Sequence, residues 1–542
     1  MPPKDSPVAA LRGGCREKGV VWWVEETPVM SQNFIECDRE QVLLMPPSLG
    51  EWLPEDHLAW TILGSVDEMD LSAFYGAYRA DGHGRPAYEP KMMLALLLYA
   101  YARGNRSSRG IERACVEDVA YRVIAANKAP DHSTIAEFRV RHEQAIAELF
   151  GEVLSLCKTA GLVKVGVVAI DGTKVSANAS MNANRSYEQI AKEIIEEARR
   201  IDEAEDELYG SARGDELPEQ LRTREGRRKA LREAKEKLDS QRAERQDSDA
   251  VTSAPLQLDP EHFVTRPYGR RAWFREARKE LDNRRQKQAR PIAKKRSERL
   301  QEASRRLQEE HSAQLEANDA YESWRARGIA ADGSHRMAPG MVKPYAPPAQ
   351  PEGKINTTDH DSRIVKTAGQ AARQGYNAQA AVNENHIVIA AEIGVDAPDF
   401  GHLQPMVKAT TNELENIGVE ESPEVVVADA GYWHKKQMEN IVAGGIQVVI
   451  PPDSGARKDT RPGWNKGLYA FMRRVLETEH GAAIYRKRMA TVEPVFGQVK
   501  FNRRLDRFLR RGRAACRSEW RLMTATNNLI RLHNHRMAAA RA

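Results

Sequence analysis

Residues 163–172 read VKVGVVAIDG, an unbroken run of small and β-branched residues closed by Asp171 and Gly172. A stretch that is apolar at nearly every position, not at every second one, suits a strand buried on both faces. The reading therefore predicts a central strand of a covered sheet, ending at Asp171. PEVVVADAGY (423–432) repeats the pattern and predicts a second buried strand, ending at Asp429. Between them GYNAQAAVNENHIVIAAEIG (375–394) reads as a hairpin turning around Asn383, Glu384 and Asn385. FGHLQPMVKATTNELENIG (400–418) and HKKQMENIVAGG (434–445) read as helices, and IQVVIPP (446–452) as a further strand. That order makes a mixed α/β layer structure, interrupted after its first strand.

Upstream of Val163 the period is helical. MMLALLLYAYARG (92–104) follows Pro90 and stops at Gly104; SSRGIERACVEDVAYRVIAA (107–126) has Ser107 or Ser108 as its N-cap. PDHSTIAEFRVRHEQAIAELFGEVLSLCKTAG (130–161) starts with Asp131 and Ser133 in cap positions and runs as one helix to Gly161. Short helices with a third one dense in Arg and His suit a helix-turn-helix-type DNA reader, and suit a plain helical bundle with a solvated basic face equally well.

The interruption is a charge-dense region from Tyr187 to Gly328. Tyr187, Ile190, Ile194, Ala198, Ile201 and Leu208 recur at helical spacing, as do Leu231, Ala234 and Leu238, and Leu300, Ala303 and Leu307. Narrow apolar stripes of this kind pair as helical hairpins or coiled coils. A Pro-rich hinge, MAPGMVKPYAPPAQPEG (337–353), closes the arm.

The chain has 542 residues, 41% of them hydrophobic, enough for more than one core. Its longest apolar stretch, Met92–Ala102, falls well short of the roughly 18 residues of a membrane helix and is flanked by Lys91 and Arg103. No secretory leader is recognisable, which predicts a cytoplasmic protein. Cys15, Cys37, Cys115, Cys157 and Cys516 are odd in number and form no CxxC pair, which argues against a disulfide framework or a zinc ribbon. The net charge of +5 conceals 82 Lys+Arg against 77 Asp+Glu, enough for segregated basic faces. Residues 1–29 show no sustained period and precede Met30, the alternative start; they read as a loose tail without chemistry.

Three acids stand out by position. Asp171 and Asp429 close buried strands, where a rigid backbone opens into a loop and chemistry collects. Glu493 lies in TVEPVFGQVK, just before a helix, among Arg486, Lys487, Arg488, Lys500, Arg503 and Arg504. Alone it reads as an ion-pair partner; with the aspartates it completes a hard-oxygen set for Mg2+, which binds through a few carboxylates plus substrate phosphates. Two such ions about 4 Å apart serve phosphoryl transfer. On this reading Asp171 and Asp429 sit on adjacent strands, with Glu493 on a helix facing them. FNRRLDRFLRRGRAACR (501–517) alternates apolar residues and Arg with only Asp506 as offset, giving a helix or helix pair with a cationic face suited to DNA backbone. Trp433 reads as a base-stacking residue or as packing. Asp359 and Asp361 suit a structural turn, His533-Asn534-His535 lies in a helical context foreign to nucleases of that spelling, and no GxxxxGK[ST] occurs to suggest ATP.

The strings AIDGTKVSANAS, NTTDHDSRIVKT, QGYNAQAAV, VVADAGYW and YRKRMATVEPVFGQVK, in that order, resemble the DDE transposases of bacterial insertion sequences. The nearest resemblance is to the insertion-sequence 1182 group of the insertion-sequence 4/5 superfamily, from about Met30 onward. It implies a ribonuclease-H-like mixed sheet with an N-terminal all-α domain and a long coiled-coil-like insertion after the first strand. The implied boundaries are 30–160 for the helical end-binding domain, 161–185 and 351–513 for the catalytic domain, 186–350 for the arm and 514–542 for a C-terminal helix. It implies Asp171, Asp429 and Glu493 as the catalytic and metal-binding triad, with two Mg2+ ions per site and Mn2+ as a substitute. Tyr485, Arg488 and Lys500 fill the family's pattern around the glutamate, except that four residues instead of three separate Arg488 from Glu493. That puts the role of Arg488 in question, with Arg486 or Lys487 as stand-ins. DNA contacts are expected at Tyr485, Arg488, Lys500, Arg503, Arg504, Arg507 and Trp433. The implied partners are double-stranded DNA, as the element's terminal inverted repeats and as target, and further copies of the chain. The implied location is the bacterial nucleoid. A decayed DNA-binding protein and a ribonuclease-H-like nuclease without joining activity remain alternatives.

Overall fold

Val167–Ser176 forms strand β1, and its pairing organises the molecule. In this computed structural model, which describes residues 48–78, 87–209, 255–263, 267–288, 291–328, 345–366, 369, 371–453 and 466–542, β1 lies inside a mixed sheet. On one side it pairs antiparallel with β5 (Arg373–Asn383), which pairs with β6 (Val388–Gly394) and, farther along, with the short β4 (Arg363–Val365). On the other it runs parallel to β7 (Val425–Ala428), followed by β8 (Gln447–Val449). A two-stranded ladder, β2 (Asn184–Arg185) with β3 (Ile355–Asn356), stands apart. The strand does not end at Asp171 as its sequence predicts. Because β5 extends past it, the ladder continues to Ser176, with Asp171 opposite Ala380.

Among the described residues, seven α-helices precede the sheet: α1 (Leu58–Glu68), α2 (Ser72–Tyr75), α3 (Pro90–Ala102), α4 (Ser108–Glu117), α5 (Val119–Ile124), α6 (His132–Arg141) and α7 (Glu143–Thr159). Ser107 and Asp131 cap α4 and α6 as their sequences predict. The two long helices expected here are each broken in two. Asp118 turns extended and caps α5, and His142 leaves helical geometry between α6 and α7. The basic character of α6 is partly spent inward: Arg139 is buried, donating to Arg106 O and the Tyr101 hydroxyl.

After β1 come α8 (Tyr187–Tyr209), α9 (Arg270–Lys287) and α10 (Arg296–Ala326). Ile190 of α8 packs on Leu300, Ala303 and Leu307 of α10, while Trp273 and Leu281 of α9 pack on Ala313, Ala317 and Tyr321 farther along α10. The stripe of Leu231, Ala234 and Leu238, the first part of the Pro-rich hinge (337–344) and residues 1–29 fall outside the described residues. Charge holds the α9–α10 pair at Glu310, which meets Arg278 at 3.0 Å, Arg285 at 3.1 Å and Arg363 at 3.5 Å. Burial works to raise its carboxyl, but the three arginines prevail and hold it down at about 2, against 4.5 ordinarily. A depressed acid stabilises the fold above its unfolded value and loses that contribution as pH falls toward the folded one. Glu310→Gln should therefore lose on the order of 3 kcal/mol at pH 7 in urea unfolding. The gap from wild type should shrink as pH is lowered from 4.5 toward 2; a pH-independent gap would refute the linkage.

The remaining helices are α11 (Leu403–Asn416), α12 (Lys435–Ala443), α13 (Gly467–Glu477), α14 (Glu479–Gly497) and α15 (Arg513–Arg541). α14 lies across β1, and α15 packs on α3, α7 and β6 together. The side chain of Asn528 in α15 imitates a strand, donating to Val388 O at 2.8 Å and accepting from Val388 N at 2.9 Å. The N-terminal helices and the sheet thus share one core through α15. Among the described residues no helix is long and apolar enough to cross a membrane. Cys115, Cys157 and Cys516 are free and buried.

Candidate active site

β1 and β7 run parallel with Ile170 beside Ala428 as their last registered pair, so the next residue on each is an aspartate. Asp171 and Asp429 therefore stand side by side on adjacent strands. Asp429 follows β7 and caps a single 3-10 turn, accepting from Gly431 N at 2.8 Å. Asp171 Oδ1 accepts from Gly172 N at 2.8 Å, and Oδ2 accepts from Arg488 Nη1 at 2.9 Å. Burial pushes the Asp171 carboxyl up to about 6; Arg488 opposes this, and the neighbouring charges of Asp429 and Asp399 add to it.

Arg488 comes from α14, with Tyr485 one turn back and its ring 5.9 Å from the guanidinium. Arg488 reaches the site, whereas Lys487 pairs with Glu384 at 2.6 Å and Arg486 is exposed, bonded to Ala482 O.

Glu493 lies inside α14, not before a helix, and its side chain is exposed. At 100° per residue, five residues carry it about 140° round the helix from Arg488. The residue four on from Arg488 is Val492, fully buried. The extra intervening residue thus turns the carboxylate off the face that meets the aspartates. Among the described residues no three of His, Cys, Asp and Glu cluster closely enough to hold a metal ion. The structure brings Asp171 and Asp429 together and leaves Glu493 on the outer side of the same helix.

A polar layer lies behind Gly172, on the sheet face opposite Asp171. Asp399 Oδ1 accepts from Lys174 Nζ at 2.8 Å, Asn377 Nδ2 at 2.9 Å and Gln379 Nε2 at 3.0 Å. Burial would raise the Asp399 carboxyl, yet Lys174 and these amides hold it below its ordinary value. Any side chain at position 172 would collide with this layer, since a Cβ there would stand 2.5 Å from Asp399 Oδ1. Tyr432, beside Asp429, donates its hydroxyl to Gln379 Oε1. Sequence reasoning missed Asp399, Lys174 and their amide partners. The available signal was the polar pair Asn377 and Gln379, two apart in the otherwise apolar run Tyr376–Val382 of β5.

Several expected DNA contacts sit elsewhere than foreseen. The stretch after α14 is not a continuous helix. Gln498–Asn502 forms a π turn, Arg504 takes a left-handed φ of 56°, and helix resumes only at Arg513 after Gly512 at φ 88°. Lys500 is half-buried on the π turn; Arg504 and Arg507 are exposed. Arg503, expected at a phosphate, is buried instead, donating to Met523 O, Thr526 Oγ1 and Asn527 Oδ1 of α15. That burial lowers its guanidinium to about 10. Trp433 is 8% exposed and stacks on Tyr469 at 4.6 Å, so it packs and offers no face to a base. Asp359 and Asp361 are structural: Asp359 accepts from the Tyr376 hydroxyl, and Asp361 from Arg306 and from Arg513 N. His533 bonds to Thr61 Oγ1 on α1.

Residues 352–529, which carry Asp429, β5 to β8 and α14 but not Asp171, match the family described as "Transposase DDE domain". Residues 47–141 match "Transposase domain (DUF772)". The two domains indicate an insertion-sequence transposase. The DDE domain implies a ribonuclease-H-like fold and the chemistry of DNA phosphoryl transfer with divalent metal ions, and the curled mixed sheet around β1 accords with that fold. No curated protein and no solved structure matches the chain significantly.

Proposed function

We propose that the chain cuts DNA at the terminal inverted repeats of its own insertion sequence and joins the freed 3′ ends to target DNA, as a transposase of the insertion-sequence 1182 group. The observation that carries this is the side-by-side placement of Asp171 and Asp429 at the ends of one parallel register, with Arg488 over Asp171. Two neighbouring carboxylates are a donor set that a hard divalent ion takes, its remaining ligands being phosphate and water. Asp171 and Asp429 would hold two Mg2+ or Mn2+ ions, with Glu493 as third carboxylate. Bound there, the ions would supply positive charge to the attacking and leaving oxygens of an in-line displacement.

The chain's own residues account for the rest. Arg488 neutralises Asp171 in the free protein; an arriving phosphate offers the guanidinium a second anionic partner and releases the carboxylate. Tyr485, one turn before Arg488, orients that guanidinium. Pro494 has no amide hydrogen for Ala490 O, so the turn bearing Glu493 is the weakest in α14. A one-residue shift of helical register there would swing Glu493 by 100° toward the aspartates. Lys500, Arg504 and Arg507 would take phosphates. α1 to α7 would read the element's ends, and the protein would act as a homo-oligomer on nucleoid DNA without ATP.

Incubating the purified protein with Mg2+ and DNA carrying the flanking repeats should give 3′-OH ends at the repeat boundary, and joined products when target DNA is added. Cut ends without joining would favour a nuclease. DNA binding with neither product would favour a decayed element.

A further inference from the structure

The parallel ladder of β1 and β7 stops one residue short of both acids, its last pair being Ile170 with Ala428. Past that pair β1 continues beside β5, while the chain after β7 folds into the 3-10 turn Ala430–Tyr432. Asp171 and Asp429 thus stand where their two backbones part. Neighbouring carboxylates repel each other, so their separation has to be fixed from outside the pair.

Side chains on the other face of the sheet join the two backbones. Alternation along β1 places Gly172 and Lys174 on that face, with Gln379 and Asn377 directly opposite them in β5. The hydroxyl of the fully buried Tyr432 donates to Gln379 Oε1, which ties the turn after β7 to β5. The other end of the same amide, Nε2, donates to Asp399 Oδ1, which also accepts from Lys174 Nζ and Asn377 Nδ2. A carboxylate engaged by three donors, one of them an ammonium, is held in a single orientation. Gln379 is fixed as well: turned over, its amide would set its oxygen against the carboxylate. Its backbone is anchored by Trp520 of α15, whose Nε1 donates to Gln379 O at 2.9 Å. Burial, and then the charges of Asp399, Asp171 and Asp429, push the Tyr432 hydroxyl well above its ordinary value, so it stays a donor. Asp399 also lies against the turn itself, since a Cβ on Gly431 would stand 3.7 Å from Asp399 Cβ. The missing side chain of Gly172 makes room for all of this, because a Cβ there would also stand 2.9 Å from Asn377 Oδ1.

On the reading of the chain as a metal-dependent transposase, we propose that Asp399 and Gln379 are positioning residues: through Lys174 and Tyr432 they hold the Asp429 turn against β1, so that Asp171 and Asp429 can share a divalent ion. Asp399 sits on the sheet face opposite Asp171 and does not itself touch that ion. It acts by orientation, as the groups behind metal ligands do.

The test titrates Mn2+ into complexes of the full-length protein with flanking-repeat DNA. Free Mn2+ is read by electron paramagnetic resonance and cleavage on a gel, for wild type, Tyr432→Phe, Asp399→Asn, Gln379→Glu and Asp429→Asn. The Asp429→Asn complex sets the background from DNA phosphates. Above that background, Tyr432→Phe and Asp399→Asn should bind Mn2+ about 10- to 100-fold more weakly than wild type, the usual effect of losing a group that orients a metal ligand. The Mn2+ needed for half-maximal cleavage should rise by the same factor, while cleavage at saturating Mn2+ and DNA affinity stay near wild type. Gln379→Glu, which sets a second carboxylate against Asp399, should be the weakest binder of the three. Wild-type Mn2+ affinity in Tyr432→Phe and Asp399→Asn would overturn the inference and leave the transposase reading intact. So would a loss of cleavage that no Mn2+ concentration restores. With a lowered melting temperature that loss would make the layer merely structural; with an unchanged one it would make Asp399 a metal ligand. A wild type that binds no more Mn2+ than Asp429→Asn and cuts nothing would overturn both.

Discussion

Asp429→Asn should reduce strand cleavage about a thousandfold or more, roughly 4 kcal/mol of lost transition-state stabilisation, with affinity for the element's ends within about twofold of wild type. Asp171→Asn should do the same, and a cleavage gel beside a mobility-shift titration separates the two effects. The Asp171 variant carries its own folding control. Its carboxyl is raised by burial to about 6 in the folded protein, against 3.8 ordinarily. A raised acid is favoured uncharged by the fold, so stability falls as pH climbs through that window and its ionised form is a burden at pH 7. Removing the charge relieves that burden, at the expense of the Arg488 pair, so Asp171→Asn should melt no lower than wild type. An inactive variant that also melts well below wild type would point to a structural role instead. Glu493→Gln is the sharper case, because its carboxylate stands off the site in the free protein. Wild-type cleavage by that variant would remove Glu493 from the triad and leave the aspartates to act without it.

The second large effect is expected at Arg106, far from Asp171 in sequence and not a DNA contact. Its guanidinium, 8% exposed, meets the fully buried Glu519 at 2.7 Å and clamps the carbonyls of Arg504 and Arg507. Glu519 in turn accepts from Leu509 N and Arg510 N. Arg106→Met strands a buried carboxylate, a change that typically costs about 3–5 kcal/mol. It also frees the stretch after the π turn. Urea unfolding should show that loss, and DNA affinity should fall even though no phosphate contact was removed. Adding Glu519→Gln should restore part of the stability by neutralising the stranded charge. Restored stability without restored DNA affinity is expected, because the clamp on the two carbonyls stays lost. A single variant with wild-type stability would mean that the ion pair contributes nothing.

The legible parts of the fold were those set by local pattern. VVAIDG and VVVADAG are apolar enough to be only buried strands, and the parallel register of β1 and β7 brings their aspartates together. The hairpin around Asn383, the caps Ser107 and Asp131, and the stop at Gly418 were all readable from residue type. What could not be read was set by tertiary partners. β1 runs past Asp171 because β5 is there to pair with it. Arg503 looks like its neighbours in a run of arginines, and only the carbonyl and hydroxyl of α15 make it a buried one. The spacing between Arg488 and Glu493 was visible in the sequence, but its consequence needed the helix: one extra residue is 100° of rotation. Asp399 left a trace only in Asn377 and Gln379, whose polarity in the apolar middle of β5 signals a partner without naming it.

The position of α15 has a consequence for how such an element ages. Residues 513–541 supply the surface on which α3, α7 and β6 close, and Asn528 completes the hydrogen bonding of an edge strand. The helices translated first therefore wait, apolar faces uncovered, until the last of these residues has been made. A frameshift or premature stop anywhere upstream of Arg513 removes more than a terminus; it leaves the first-made helices and the sheet without a common core. Genomic copies that have lost this end should yield no partial product that still folds and competes for the element's ends, so decay of the gene would silence a copy outright and leave no dominant inhibitor behind.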